Sequence, residues 1–330
     1  MSWRPASRIG LGGGPLGNLY APLSEAMAQG ALQAAWDGGI RHFDTAPFYG
    51  SGLAEQRLGR FLVGRPRDSY TLSTKVGRVL EPEAEGQGFD LTFPGRPPFV
   101  PRFDYSHDGV MRSFESSLQR LGVDRVDLLL LHDVDTVTHG AAQRESMELA
   151  MQSGLPAMQA LRDAGAVRAI GLGVNECAVC LEAMQYADWD CFMVAGRYTL
   201  LEQPALDELL PACARRGIGV IAAGIFNSGI LATGAVAGAR YDYQPAPPDI
   251  VARVRRIEAV CARHGVTLAA AALQFPLAHP VVEAIVVGAR SATEVAANLA
   301  MSKAVIPAQF WTELKSEGLV AADAPVPAGP

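Results

Sequence analysis

The chain has 330 residues, 49% of them apolar and 19% charged, with a formal charge of −6; this suits a globular protein with a sizeable core and leaves no basic footprint for nucleic acid. The first fifteen residues hold no basic segment followed by an apolar run, and no stretch is long enough to span a bilayer, so a cytoplasmic protein without a membrane partner is expected. Five irregularly spaced cysteines are too few for a disulfide framework and suit a reducing compartment.

Residues 9–17 open the chain as a short strand and a Gly-rich turn. They contain Gly12-x-Gly14-x-x-Gly17, the spacing of a dinucleotide-binding turn, with Asp37 at a suitable distance. That fingerprint requires a helix starting at the glycines, whereas here Pro15, Asn18 and Pro22 intervene and the helix signal starts at the N-cap Ser24. A plain turn is the preferred reading. The first helix runs to Gly38-Gly39, which stop it. Next comes Arg41-His-Phe-Asp-Thr-Ala-Pro-Phe-Tyr-Gly50, a strand that ends on Asp44 and leads into a turn carrying Thr45 and Tyr49. A helix over 53–62 follows. The strand 70–75 delivers Lys75 at its end, and the strand 126–131 delivers His132 followed by Asp133, with a helix over 107–121 between them.

The alternation continues: a helix over 145–162, strand 169–174, helix 178–186, strand 191–195, helix 205–216, strand 219–223, helix 249–264, strand 284–287 and helix 293–301. Gly165, Gly217 and Gly265 punctuate it as helix C-caps. Eight strand-helix pairs predict an α/β fold, a single (β/α)8 TIM barrel over 1–320, with an extra helix over 307–319 and a frayed Pro/Ala tail over 321–330. Two Pro- and Gly-rich stretches, 79–104 and 226–248, follow strand ends and so overhang the C-terminal mouth, where barrels carry their chemistry. Cys177-x-x-Cys180 has no partner pair at a metal-site spacing and reads as helix packing, so no metal is expected.

If the early strands are neighbours, Asp44, Tyr49, Lys75 and His132 converge at the mouth. A phenol is a poor base near neutrality unless a cation favours its ionised form. Lys75 supplies that charge, Asp44 holds Lys75, and His132 binds the substrate oxygen.

These residues resemble the aldo/keto reductases, whose active site comprises an Asp, a Tyr, a Lys and a His in this order. The resemblance extends over Phe43-Asp-Thr-Ala-Pro, Ala54-Glu-Gln-Arg-Leu-Gly, Ser73-Thr-Lys, Ser117-Leu-Gln-Arg-Leu-Gly, Leu131-His-Asp, Gly171-Leu-Gly-Val-Asn175 and Gly288-Ala-Arg290 with Asn298. Lys75-Val-Gly-Arg78, Ala195-Gly-Arg-Tyr-Thr-Leu200 and Phe226-Asn-Ser-Gly229 are most similar to the branch that oxidises free sugars at C1, which also includes a pyridoxal dehydrogenase.

The resemblance implies hydride transfer with a nicotinamide, with Asn175 at its carboxamide and Ser228, Gly288, Arg290, Glu294 and Asn298 at the phosphate and adenosine end. Glu294 would repel a 2′-phosphate, which points to NAD; Arg290 keeps NADP open. Arg78, Arg197, Tyr198 and Asn227, on mouth loops, are candidates for reading the substrate, a sugar lactol or pyridoxal. A carbonyl reductase using NADPH, a lyase forming a Schiff base on Lys75 and a nicotinamide-binding regulatory subunit remain as alternatives.

Overall fold

In the computed structural model, which describes residues 3–84 and 92–329, eight parallel strands close into a barrel in chain order. They are β1 (Ile9–Gly12), β2 (His42–Asp44), β3 (Thr71–Val76), β4 (Val126–His132), β5 (Val167–Val174), β6 (Cys191–Ala195), β7 (Gly219–Ala223) and β8 (Val282–Gly288). Each pairs with the next, and β8 closes on β1 through Ile9↔Ile285 to Gly12↔Gly288. The fold is the (β/α)8 barrel that the alternation predicts.

Strands covered on both faces read as continuous apolar runs, which is why Leu128 to Leu131 show no alternation. Leu128 and Leu130 join Met193, Ile221 and Val286 in the barrel interior, while Leu129 and Leu131 pack outward under the helices. Those helices include α1 (Glu25–Asp37), α2 (Leu53–Leu62), α3 (His107–Leu121), α4 (Gln143–Leu149), α5 (Leu155–Asp163), α6 (Cys177–Ala183), α7 (Leu209–Arg216), α8 (Pro248–His264), α9 (Ala292–Met301) and α10 (Ala308–Ser316), with a further buried helix over Leu268–Gln274.

The Ser24 hydroxyl accepts from the Met27 amide and starts α1, well past the glycines, which themselves carry only a single 3-10 turn over Pro15–Gly17. The helix expected over 145–162 forms, running without a break from α4 through a π turn over Ala150–Gly154, just before Pro156, into α5. A proline removes one N–H from the ladder, and the wider turn absorbs the defect. The two long loops each contain an antiparallel hairpin: Arg78–Pro82 pairs with Phe99–Phe103, and Arg240–Tyr241 with Gln244–Pro245. Part of the first loop, residues 85–91, lies outside the described residues, as do Met1, Ser2 and Pro330. The Pro/Ala tail does not fray as expected. Ala324 is fully buried, Lys315 donates to the Ala322 carbonyl, and the Ala321 amide donates to Gln203. Among the described residues, no helix is long and apolar enough to cross a membrane.

His42, on β2, is fully buried with Trp3 edge-on at 6.0 Å; its Nδ1 meets Thr71 Oγ1 at 3.0 Å and its Nε2 has no partner. Burial pushes its pKa down to about 4. Between pH 6.5 and 4 the unfolded chain therefore takes up a proton that the folded one excludes, and stability falls as pH drops through that window. Denaturant unfolding at pH 7 and pH 4.5 should show wild type losing about 2 kcal/mol more than His42→Gln. Equal losses would mean that the imidazole is protonated without cost in the fold.

Candidate active site

Asp44 is the last residue of β2, in register with Ser73 on β3, whose hydroxyl donates to Asp44 Oδ1 at 2.7 Å. Lys75 Nζ donates to Asp44 Oδ2 at 2.8 Å and to the Thr45 carbonyl at 2.9 Å. Both side chains are buried, and Gly173 on β5 leaves the room: a Cβ there would stand 3.3 Å from Lys75 Cε. Nζ lies 4.7 Å from the centre of the Tyr49 ring. Gly17 also finds its purpose here. A Cβ on it would come within 2.5 Å of Tyr49 backbone, so only glycine lets the loop after β1 lie against the Tyr49 turn.

Burial would depress the Lys75 pKa, but the Asp44 carboxylate, with hydrogen bonds to Asp44 and Tyr49, outweighs it and the pKa rises, so the site holds an ammonium. For Tyr49, burial raises the pKa and Lys75 lowers it; burial wins. The expected lowering by the cation is present but incomplete, and the resting phenol carries its proton at neutral pH.

His132 ends β4, its ring 6.0 Å from that of Tyr49 and nearly perpendicular to it. Burial, with Arg78 and Lys75 nearby, pushes its pKa well down, so the imidazole is neutral. Its Nε2 is 3.3 Å from Asp133 Oδ2, and its Nδ1 is buried without a partner. Asp133 Oδ2 also accepts from Arg78 Nη2 at 2.6 Å, and Oδ1 from Asn175 Nδ2 at 3.2 Å. Asp135 fixes Asn175 by accepting from its backbone amide at 2.7 Å and its side chain at 3.1 Å. Arg197 Nε donates to the Asn175 carbonyl at 2.8 Å, and its Nη2 meets both Asp242 oxygens at 3.0 Å, which ties down the turn of the second hairpin.

Of the other candidates, Asn227 and Ser228 follow β7 with left-handed backbone; the Asn227 Oδ1 is buried and unpartnered, and the Ser228 hydroxyl accepts from the Tyr243 amide at 2.9 Å. Gly288 ends β8, and Asn298 lies on α9. The Arg290 guanidinium donates to the carbonyls of Leu19, Ala21 and Pro22, while Glu294 Oε2 accepts from the Arg290 amide at 2.8 Å. Tyr198 is not brought to this cluster. It is buried against Phe275 and His279, in the layer between barrel and helices.

A nicotinamide dinucleotide fits the residues present: the orphaned Asn227 acceptor and the Asn175 amide suit a carboxamide, and α9 begins just after β8, where its N-terminal amides suit phosphate. The sequence reading assigned no role to Asp133, Asp135, Ser73 or Phe48. The acidic pair in His132-Asp-Val-Asp135 was the available signal, but the left-handed turn at Asp133, φ 53°, that aims the first of them is not legible in letters.

The model of the aldo/keto reductase family matches residues 8–317. The chain is 44% identical to pyridoxal 4-dehydrogenase from Microbacterium luteolum and 43% identical to D-threo-aldose 1-dehydrogenase from a Pseudomonas species, with 94% of each chain covered in both cases. It is 30% identical to L-galactose dehydrogenase from Arabidopsis thaliana, over 95% of this chain and 86% of that one. Among solved structures, an aldo-keto reductase from Bacillus halodurans superposes with a TM-score of 0.73 at 24% identity, covering 96% of this chain and 93% of its own.

Asp44→Asn would leave the Lys75 ammonium buried beside a neutral amide. Such a change costs about 3–5 kcal/mol, which urea unfolding would register. A loss below about 1 kcal/mol would mean that Thr45 and Tyr49 alone hold the charge.

Proposed function

The chain belongs to the aldo/keto reductase family, and from that premise we propose that it is an NAD-preferring dehydrogenase that oxidises the anomeric hydroxyl of a free aldose to the lactone. The observation that carries this reading is the convergence of Tyr49, the Asp44–Lys75 ion pair and neutral His132 at one strand-end site. The names of two relatives, the D-threo-aldose and L-galactose dehydrogenases, support the substrate class.

Bound at the mouth, a nicotinamide supplies the acceptor for the hydride leaving C1. The lactol hydroxyl lies between Tyr49 and His132; His132 orients it as a neutral hydrogen-bonding partner, and Tyr49, once deprotonated, takes its proton as the C1 carbonyl forms. Lys75 stabilises the phenolate, and Asp44 keeps Lys75 charged and in place. A lactol already has its ring oxygen and hydroxyl on one carbon, so no hydrated aldehyde is needed.

NAD is favoured because the Arg290 guanidinium is taken up by three backbone carbonyls and a carboxylate, Glu294, stands beside it. A 2′-phosphate there meets a like charge. A second reading, oxidation of pyridoxal as its cyclic hemiacetal, draws on the 44% relative and on the aromatic wall beside His132, where Phe48 lies 5.2 Å from Phe93 and 6.2 Å from the imidazole.

A panel of aldoses and pyridoxal with NAD and NADP, followed by reduced-cofactor absorbance, tests these readings. We expect oxidation of a few aldoses sharing a configuration, a higher kcat/KM with NAD, and a narrowed or inverted preference in Glu294→Arg. Fast NADPH-driven reduction of aliphatic ketones, with neither sugar nor pyridoxal oxidised, would leave a carbonyl reductase instead. Tyr49→Phe should lower kcat by about 10²–10⁴-fold while binding cofactor nearly as well; near-normal turnover would exclude the phenol as proton carrier.

A further inference from the structure

Arg78 presents an unusual inventory for a buried cation. Its guanidinium is clamped between two rings, 3.9 Å from the centre of Phe48 and 4.5 Å from that of Phe103, and is 6% exposed. One nitrogen is spent on Asp133, while Nε and Nη1 are buried with no partner. Orphaned donors on a buried charge are costly unless something else satisfies them. The structure also invests in placing the partner. Asp133 sits in a left-handed conformation, φ 53°, and the Tyr105 hydroxyl bridges the carbonyls of His132 and Asp133 at 2.8 and 3.1 Å. Phe48 is shared: one face neighbourhood holds Arg78, and the His132 ring lies 6.2 Å away.

We infer that the Arg78–Asp133 pair is the specificity-determining contact for a hydroxyl adjacent to the oxidised carbon. The inference rests on the placement of the reacting oxygen at Tyr49 and His132 proposed above. Asp133 Oδ2 stands 3.3 Å from His132 Nε2, so an oxygen bonded at that nitrogen has the carboxylate of the pair as its next neighbour. Vicinal oxygens on a saturated ring lie roughly one hydrogen-bond length apart, which puts a C2 hydroxyl within reach of both groups. A hydroxyl donates one hydrogen and accepts others, and the pair offers a carboxylate to receive that hydrogen and free guanidinium N–H groups to donate in return. The substrate class is thereby narrowed to cyclic hemiacetals with a hydroxyl beside the reacting carbon.

The test compares the aldose of the panel that wild type oxidises fastest with its 2-deoxy analogue, in wild type, Asp133→Asn and Arg78→Lys. Wild type should reject the deoxy sugar by about 10²–10⁴-fold in kcat/KM, since the site's polar groups are then left unpaired. In both variants that ratio should fall below about 10, whatever the absolute rates. Calorimetric affinities of wild type for the lactone and the 2-deoxy lactone should repeat the preference without turnover, and this arm needs no variant to fold. A wild type indifferent to the 2-hydroxyl overturns the inference. So does a ratio preserved in folded variants, because a residue that merely orients His132 lowers both substrates alike. Failure of wild type to oxidise any lactol or pyridoxal would instead remove the proposed reaction itself.

Discussion

The buried ion pair between Asp44 and Lys75 is the constraint on which the rest of the site depends. An ammonium taken out of water is tolerated only when its donors are matched, and here Asp44, the Thr45 carbonyl and Tyr49 surround it. Matching them requires β2 and β3 to be neighbours in fixed register, β5 to carry a glycine opposite the lysine stem, and the loop after β1 to pack closely on the Tyr49 turn. The pair therefore couples the barrel's closure to the electrostatics of one phenol. Burial raises the Tyr49 pKa and Lys75 opposes the rise, so the ease with which the phenol gives up its proton is set by the balance of the two.

A second network grades outward from that centre. His132 is neutral, Asp133 is pushed up to about 6, chiefly by burial and against the pull of Arg78, and Asn175 is pinned by both Asp133 and Asp135. Arg197 then links Asn175 to the hairpin over the mouth through Asp242. The region where a nicotinamide carboxamide is proposed to bind is thus joined by continuous hydrogen bonds to the loop that overhangs it.

Much of this was legible in the sequence because a parallel barrel writes its layout plainly. Apolar runs mark strands, C-cap glycines mark helix ends, and a polar residue at the end of an apolar run marks the mouth; that rule puts Asp44, Lys75 and His132 at strand ends, where the structure has them. Features that depend on backbone direction were not. The left-handed turns at Asp133 and Asn227 occur at residues other than glycine, so no letter announces them. Tyr198 follows the end of β6 and so is expected at the mouth, yet its ring turns into the core against Phe275. The glycines near the start have a dinucleotide spacing, but Gly17 is explained by close approach to Tyr49. The hairpins were hidden because Pro and Gly disguise short edge strands as loops.

The most direct test of the account is the pH dependence of kcat/KM for oxidation, measured on the best substrate in wild type and in Lys75→Met. If the phenol must lose its proton and Lys75 eases that loss, wild-type kcat/KM rises with pH and the rising limb of Lys75→Met lies at higher pH, with a lower plateau because the lysine also positions the ring. A limb that stays in place when the ammonium is removed would contradict the account, since Tyr49 would then be indifferent to the charge that the whole site is built to bury.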